Sequence, residues 1–230
     1  MVRISALLVI VALTLGVGTW IDAQDGGNDT NGARPLDLPA GKVVKDDEDE
    51  NDPESIIFYG QEYEADAFFW CVDRSCSMDW GAGPPIVILK AELQASIESL
   101  SKQAEFGIVN FSSGYQKYKP MPVKATPGEK VGAMGWVQAM SADGSTCLGA
   151  AGVATLEIAN LCRKRNKRMI CMADGGANCP GCGTEVPQIT NANWQRIPID
   201  TLFVGGSGTG LQCMTDLANA NGGTFAHIAN

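Results

Sequence analysis

The chain has one histidine, His227, in 230 residues. Imidazole is the side chain best suited to general acid–base work near neutral pH, so triad-type hydrolysis has little to draw on. Basic residues are also few: 17 Lys and Arg stand against 26 Asp and Glu, a net charge of −9. A chain so acidic has no electrostatic attraction for nucleic acid, which is therefore not an expected partner; a cation or a basic surface is. There is no internal repeat. The glycine-rich stretch 205–210, GGSGTG, lacks the GxGxxG spacing and reads as a loop, not a dinucleotide site. Only one CxxC pair occurs, Cys179-Pro-Gly-Cys182, which is little for a zinc site. Long apolar runs are missing after residue 21.

What is present begins with an export signature. Arg3 precedes an apolar run from Ile4 to about Val17, and Ile21-Asp22-Ala23 offers a cleavage site, so residues 1–23 read as a signal peptide. The run extends to Ile21, so an uncleaved N-terminal anchor is the alternative, although Ser5, Thr14, Gly16, Gly18 and Thr19 dilute it. In both cases the rest of the chain is expected to be extracytoplasmic, touching a membrane only through that segment. Eight cysteines fit an oxidising compartment. Residues 24–54, rich in Gly, Asn, Asp and Pro and acidic from Asp46 to Glu54, read as a disordered linker; a calcium- or partner-binding tail is the second reading.

Residues 55–230 read as one α/β domain. Its organising stretch is Ala67–Met78, AFFWCVDRSCSM. A continuous apolar run suits a strand buried on both faces. Asp73, Ser75 and Ser77 would then sit in the loop at its C-terminal end, where open α/β sheets bind ligands. Ser55–Gly60 reads as a short strand. Ile86, Leu89, Leu93, Ile97 and Leu100 form one helical stripe, and Ala104–Phe111 is a second buried strand. Tyr115–Val123, with two prolines, is at most an edge strand. Pro127 opens a helix that places Ala133, Trp136, Val137 and Met140 on one face, and an Ala-rich helix runs to about Cys162. Met169–Ala173 is a strand ending at Asp174; a Gly- and Cys-rich loop and a weak helix to Gln195 follow. Ile197–Val204, a helix from Thr209 to Gly222-Gly223, and Thr224–Ile228 complete the pattern. Alternating strands and helices imply a mostly parallel, doubly wound sheet with helices on both faces.

Three loops thus bring oxygen donors towards one sheet edge: Asp73, Ser75 and Ser77; Thr146; and Asp174. Two carboxylates and three hydroxyls suit a hard cation, Mg²⁺, with Mn²⁺ and Ca²⁺ also possible on chemistry alone. The residues VDRSCSM (Asp73, Ser75, Ser77, Met78), DGST (Thr146) and MADGG (Asp174) resemble the von Willebrand factor type A domain and its metal-ion-dependent adhesion site. The resemblance covers about Ser55 to Asn230. It implies one antiparallel edge strand in the sheet, direct metal coordination by the two serines and the threonine, and aspartates acting directly or through water. It also implies a protein partner that offers a carboxylate. Cys76 stands where the family usually has glycine, and the family's closing helix after the last strand is not in this sequence.

Cys76, Cys147, Cys179 and Cys182 are expected at the same end of the sheet. Disulfides stiffening the loops, Cys76 with Cys147 for instance, compete with four thiolates around Zn²⁺. Cys71 and Cys171 fall within strands, as buried small apolar groups. The turn CRKRNKR, 162–168, lies at the opposite sheet end and is a candidate contact for the acidic linker. Two other functions stay open. One is a Mg²⁺-dependent phosphotransferase of the haloacid dehalogenase type, although Ser75 stands where that chemistry normally has its second carboxylate. The other is a disulfide-braced structural module with a degenerate metal site.

Overall fold

The computed structural model describes residues 53–228. The expected export segment and nearly all of the acidic linker, and with it the proposed linker–turn contact, lie outside the described residues. Glu54, read as the last linker residue, is instead the first residue of a strand. Among the described residues no helix is long and apolar enough to cross a membrane.

Strands β1 (Glu54–Phe58) and β2 (Gln61–Ala65) form a separate antiparallel hairpin. The sequence reading has the first but not the second. Tyr59 and Gly60 connect them with φ of 52° and 70°, the twist that two-residue hairpin turns require. QEYEA alternates, with Tyr63 and Ala65 buried and the glutamates exposed.

The main sheet has seven strands. β3 (Ala67–Asp73) lies at its centre, parallel to β4 (Glu105–Phe111) on one side and β7 (Lys167–Ala173) on the other. β8 (Ile199–Val204) and β9 (Gly222–Ile228) continue in parallel beyond β7. The antiparallel edge is split in two: β5 (Tyr115–Lys117) and β6 (Val123–Lys124) each pair with β4. Pro120 and Pro122 lie between them and lack the N–H a continuous edge would need.

Every residue of β3 is buried. Because side chains alternate across a strand, Phe68, Trp70 and Val72 face one layer and Phe69 and Cys71 the other. The first layer holds the hairpin, α1 (Pro85–Ser99) and α2 (Pro127–Gln138). The second holds α3 (Leu148–Leu161), α4 (Cys182–Ala192) and α5 (Thr209–Ala220). Helix α2 opens on Thr126, whose hydroxyl accepts from Glu129 N at 3.3 Å, followed by Pro127 in the first turn.

The last strand pairs in parallel with β8 from Ile199 to Val204, with a register shift between Ile199 and Thr201. Asp200, completely buried on β8, accepts from Thr224 N and Thr224 Oγ1 at 2.8 Å each, and its other oxygen takes Arg168 Nη1 at 2.7 Å. This buried carboxylate joins three elements, β7, β8 and β9.

Candidate functional site

β3 and β7 are neighbours in the sheet, so Asp73 and Asp174 leave it at the same edge. Asp73 is fully buried. Its Oδ1 accepts from Ser75 N at 2.6 Å, a tight turn that aims the following hydroxyls back over the strand end. Ser75 Oγ and Ser77 Oγ are 3.2 Å apart, and Ser77 Oγ donates to Asp174 Oδ1 at 2.7 Å. A short 3-10 turn, Cys76–Asp79, follows, pinned by the fully buried Met78. The second loop is stitched to the first: Cys76 N donates to Gly144 O at 3.0 Å and Asp143 N to Arg74 O at 2.8 Å. Gly144 has φ of 67°, and a Cβ there would also meet Ser113 Oγ at 2.5 Å. Arg74 is occupied by Asn110, Ser141 and Asp143, so its charge is directed away from the two aspartates.

Thr146 is buried, and its hydroxyl faces Gly175: a Cβ on that glycine would lie 3.7 Å from Thr146 Oγ1. Thr146 N donates to Asn178 Oδ1 at 3.2 Å, and Asn178 N donates back to Thr146 O at 3.0 Å. Asp73, Ser75, Ser77 and Asp174 are thus linked by hydrogen bonds, and Thr146 flanks them beside Gly175. Gly210 lets α5 close on this loop, since a Cβ there would be 2.5 Å from the Gly175 carbonyl.

The electrostatics are unbalanced. Asp73 Oδ2 is buried with no hydrogen-bond partner among the described residues. Burial pushes the Asp73 carboxyl up to about 7; the bonds from Ser75 oppose this, and the charge of Asp174 adds to it. Asp174 is also raised by burial, against the bond from Ser77. Neither aspartate forms an ion pair among the described residues.

The cysteines pair differently from expectation. Cys147 bonds to Cys179, and Cys182 to Cys213. Cys76 is free and exposed, so the expected Cys76–Cys147 bridge is replaced: Cys147 reaches the third loop, not the first. Because three of the four cysteines considered for zinc are in disulfides, a four-thiolate site does not form. Cys71 and Cys171 are free and buried, as read from their strands. Cys213, on α5, had no sequence signal beyond its helical position.

Glu185 is the other residue that sequence reasoning missed. It is fully buried at the start of α4. One oxygen accepts from Gly149 N at 2.5 Å; the other accepts from Cys179 N at 2.8 Å and Gly181 N at 3.1 Å. It therefore ties the first turn of α3, just after Thr146, to the loop after Asp174. Nothing in CGTEV marks it as buried. His227 lies on β9 with Nε2 2.6 Å from Gly205 O, an edge residue without a catalytic partner among the described residues.

No protein-family model matches the chain, and neither does any curated protein sequence. Solved structures do. A von Willebrand factor type A protein from Catenulispora acidiphila aligns over 74% of this chain at 18% identity, with a TM-score of 0.63. The chain covers 40% of that protein's length. BatB, a conserved hypothetical protein from Bacteroides thetaiotaomicron, aligns over 71% of this chain and 90% of its own at 15% identity, with a TM-score of 0.57. Proximal thread matrix protein 1 from the mussel byssus aligns over 71% of this chain and 44% of its own at 18% identity, also with a TM-score of 0.57. With its central β3, antiparallel edge and helices on both faces, the described chain has the fold of von Willebrand factor type A domains.

Proposed function

We propose that this chain is an extracytoplasmic binding module that holds a divalent cation, Mg²⁺ first among the candidates, and uses it to grip a carboxylate of a protein partner. Asp73, Ser75, Ser77, Thr146 and Asp174 would hold the ion. The observation that supports this most directly is Asp73 Oδ2, a buried carboxylate oxygen with no hydrogen-bond partner among the described residues. A buried, unpaired carboxylate is costly unless it is protonated or meets a cation. The hydroxyls of Ser75, Ser77 and Thr146 would donate oxygen without adding charge, so a bound ion would stay electron-poor and would supply affinity for an anionic ligand.

The extracytoplasmic placement is supported by two disulfides and by the fold neighbours, which include an aerotolerance-related membrane protein from Bacteroides fragilis. Trp80, directly after the first loop, is 71% exposed and offers an aromatic contact beside the metal edge.

Thermal unfolding of the purified chain with and without Mg²⁺, Mn²⁺ and Ca²⁺ tests the reading. A rise in midpoint with one ion that Asp73→Ala abolishes is the expected result. No rise with any of the three would end the proposal. Phosphatase turnover lost with Asp73 would replace it by the phosphotransferase reading.

A further inference from the structure

At the sheet end opposite Asp73, the turn between α3 and β7 and the loop before β8 line an open cavity of about 330 Å³. Arg163, Lys164, Arg165, Lys167 and Arg196 all line it. In a chain of net charge −9 this gathers five of 17 basic residues around one space. Among the described residues none of the five forms an ion pair, whereas Arg74, Lys117 and Arg168 each do. Glu105, which accepts from Cys162 Sγ at 3.2 Å, is not part of the lining.

Lys167 is only 8% exposed. Its ammonium donates to Ala159 O and Cys162 O at 3.2 Å each and to Gln195 Oε1. Three donors meet three neutral acceptors, so its hydrogen bonds are satisfied and its charge is not neutralised. That fixed charge acts on the cavity while the side chains of Arg163, Lys164, Arg165 and Arg196 keep donors for a ligand. Arg196 and Pro198 also line a neighbouring cavity of about 430 Å³, which leaves room for more than a bare inorganic ion.

We infer that this end of the domain is a binding site for a phosphate or sulfate monoester. The guanidinium groups and Lys164 would take the oxyanion, Lys167 would supply the standing positive field, and the adjoining cavity would take the organic part. The site is independent of the metal-edge reading.

The test uses the full chain in EDTA, which keeps divalent ions away from the opposite edge. Inorganic phosphate, inorganic sulfate and glycerol phosphate are titrated at constant ionic strength, with glycerol as the uncharged control. Thermal midpoint and tryptophan emission are the readouts, because Trp194, 71% exposed, adjoins the lining residue Gln195. A saturable response is expected, tighter for glycerol phosphate than for inorganic phosphate. Lys164→Ala with Arg165→Ala should weaken it about tenfold or more. Trp194→Phe should remove the emission change and keep the thermal shift. An equal response in wild type and the double variant, or none in wild type, would overturn the proposal. A response that appears only when Asp46, Asp47, Glu48, Asp49 and Glu50 are exchanged for their amides would also overturn it, assigning the cluster to the chain's own acidic run. Unfolding midpoints in buffer alone separate loss of binding from loss of fold.

Discussion

Ser77 Oγ donates to Asp174 Oδ1 at 2.7 Å across 97 residues of sequence, joining the loop after β3 to the loop after β7. The bond exists because those strands are neighbours, and it ties a hydroxyl and a carboxylate together at the sheet edge where β3 ends in Asp73. Without metal, both aspartates hold their protons to higher pH than they would unfolded. A raised carboxyl pKa contributes stability that is complete below the unfolded value, near 4, and is lost as pH rises through the folded one, about 7 for Asp73. In EDTA the chain should therefore lose on the order of a few kcal/mol of stability between about pH 4 and 7. Asp73→Asn should flatten that dependence and remove any gain from Mg²⁺. Urea unfolding at stepped pH, with and without Mg²⁺, checks both.

The two disulfides should separate stability from site integrity. Cys147–Cys179 and Cys182–Cys213 span 32 and 31 residues, so loop-closure entropy assigns each a similar contribution, about 3–4 kcal/mol. Only the first joins the Thr146 loop to the Asp174 loop. Replacing both partners by serine in either bridge should lower the unfolding free energy by a similar amount. The Cys147/Cys179 pair should weaken Mg²⁺ binding far more, as read by metal titration.

Glu185 holds three backbone N–H groups at once. Glu185→Ala leaves those donors without their acceptor, at about 1–3 kcal/mol for each that water does not reach. We expect a loss of about 3 kcal/mol or more in urea unfolding, together with weaker metal binding, because both loops it ties flank Asp174. Glu185→Gln should recover part of each.

Thiol counting distinguishes this cysteine arrangement from the one expected from sequence. Cys76 is the one free cysteine that is exposed; Cys71, Cys162 and Cys171 are buried. A thiol reagent should find one group in the native chain, four in denaturant without reductant, and all eight with it. Two fewer in denaturant would indicate a third bridge.

The strands ending at Asp73 and Asp174 were legible because each rests on a local signal, an apolar run with polar residues at its end; that the two ends meet depends on β3 pairing with β7, which only the resemblance to the von Willebrand factor type A domain implied. β2 was not, since QEYEA carries two buried positions in five and its partner strand supplies the rest of the reason it is extended. Disulfide partners were illegible for the same reason that Glu185 was. Which loop a side chain meets depends on how α4 and α5 pack against α3, and their own residues do not encode that separately.

β3 also fixes a distance. Seven extended residues span roughly 23 Å, nearly three screening lengths at physiological salt, where the Debye length is about 8 Å. Through solvent, the exposed charges of the acidic edge and the basic pole are therefore largely screened from each other. Loading one should leave the other's affinity unchanged, so a single domain could act as a rigid spacer occupied at both ends.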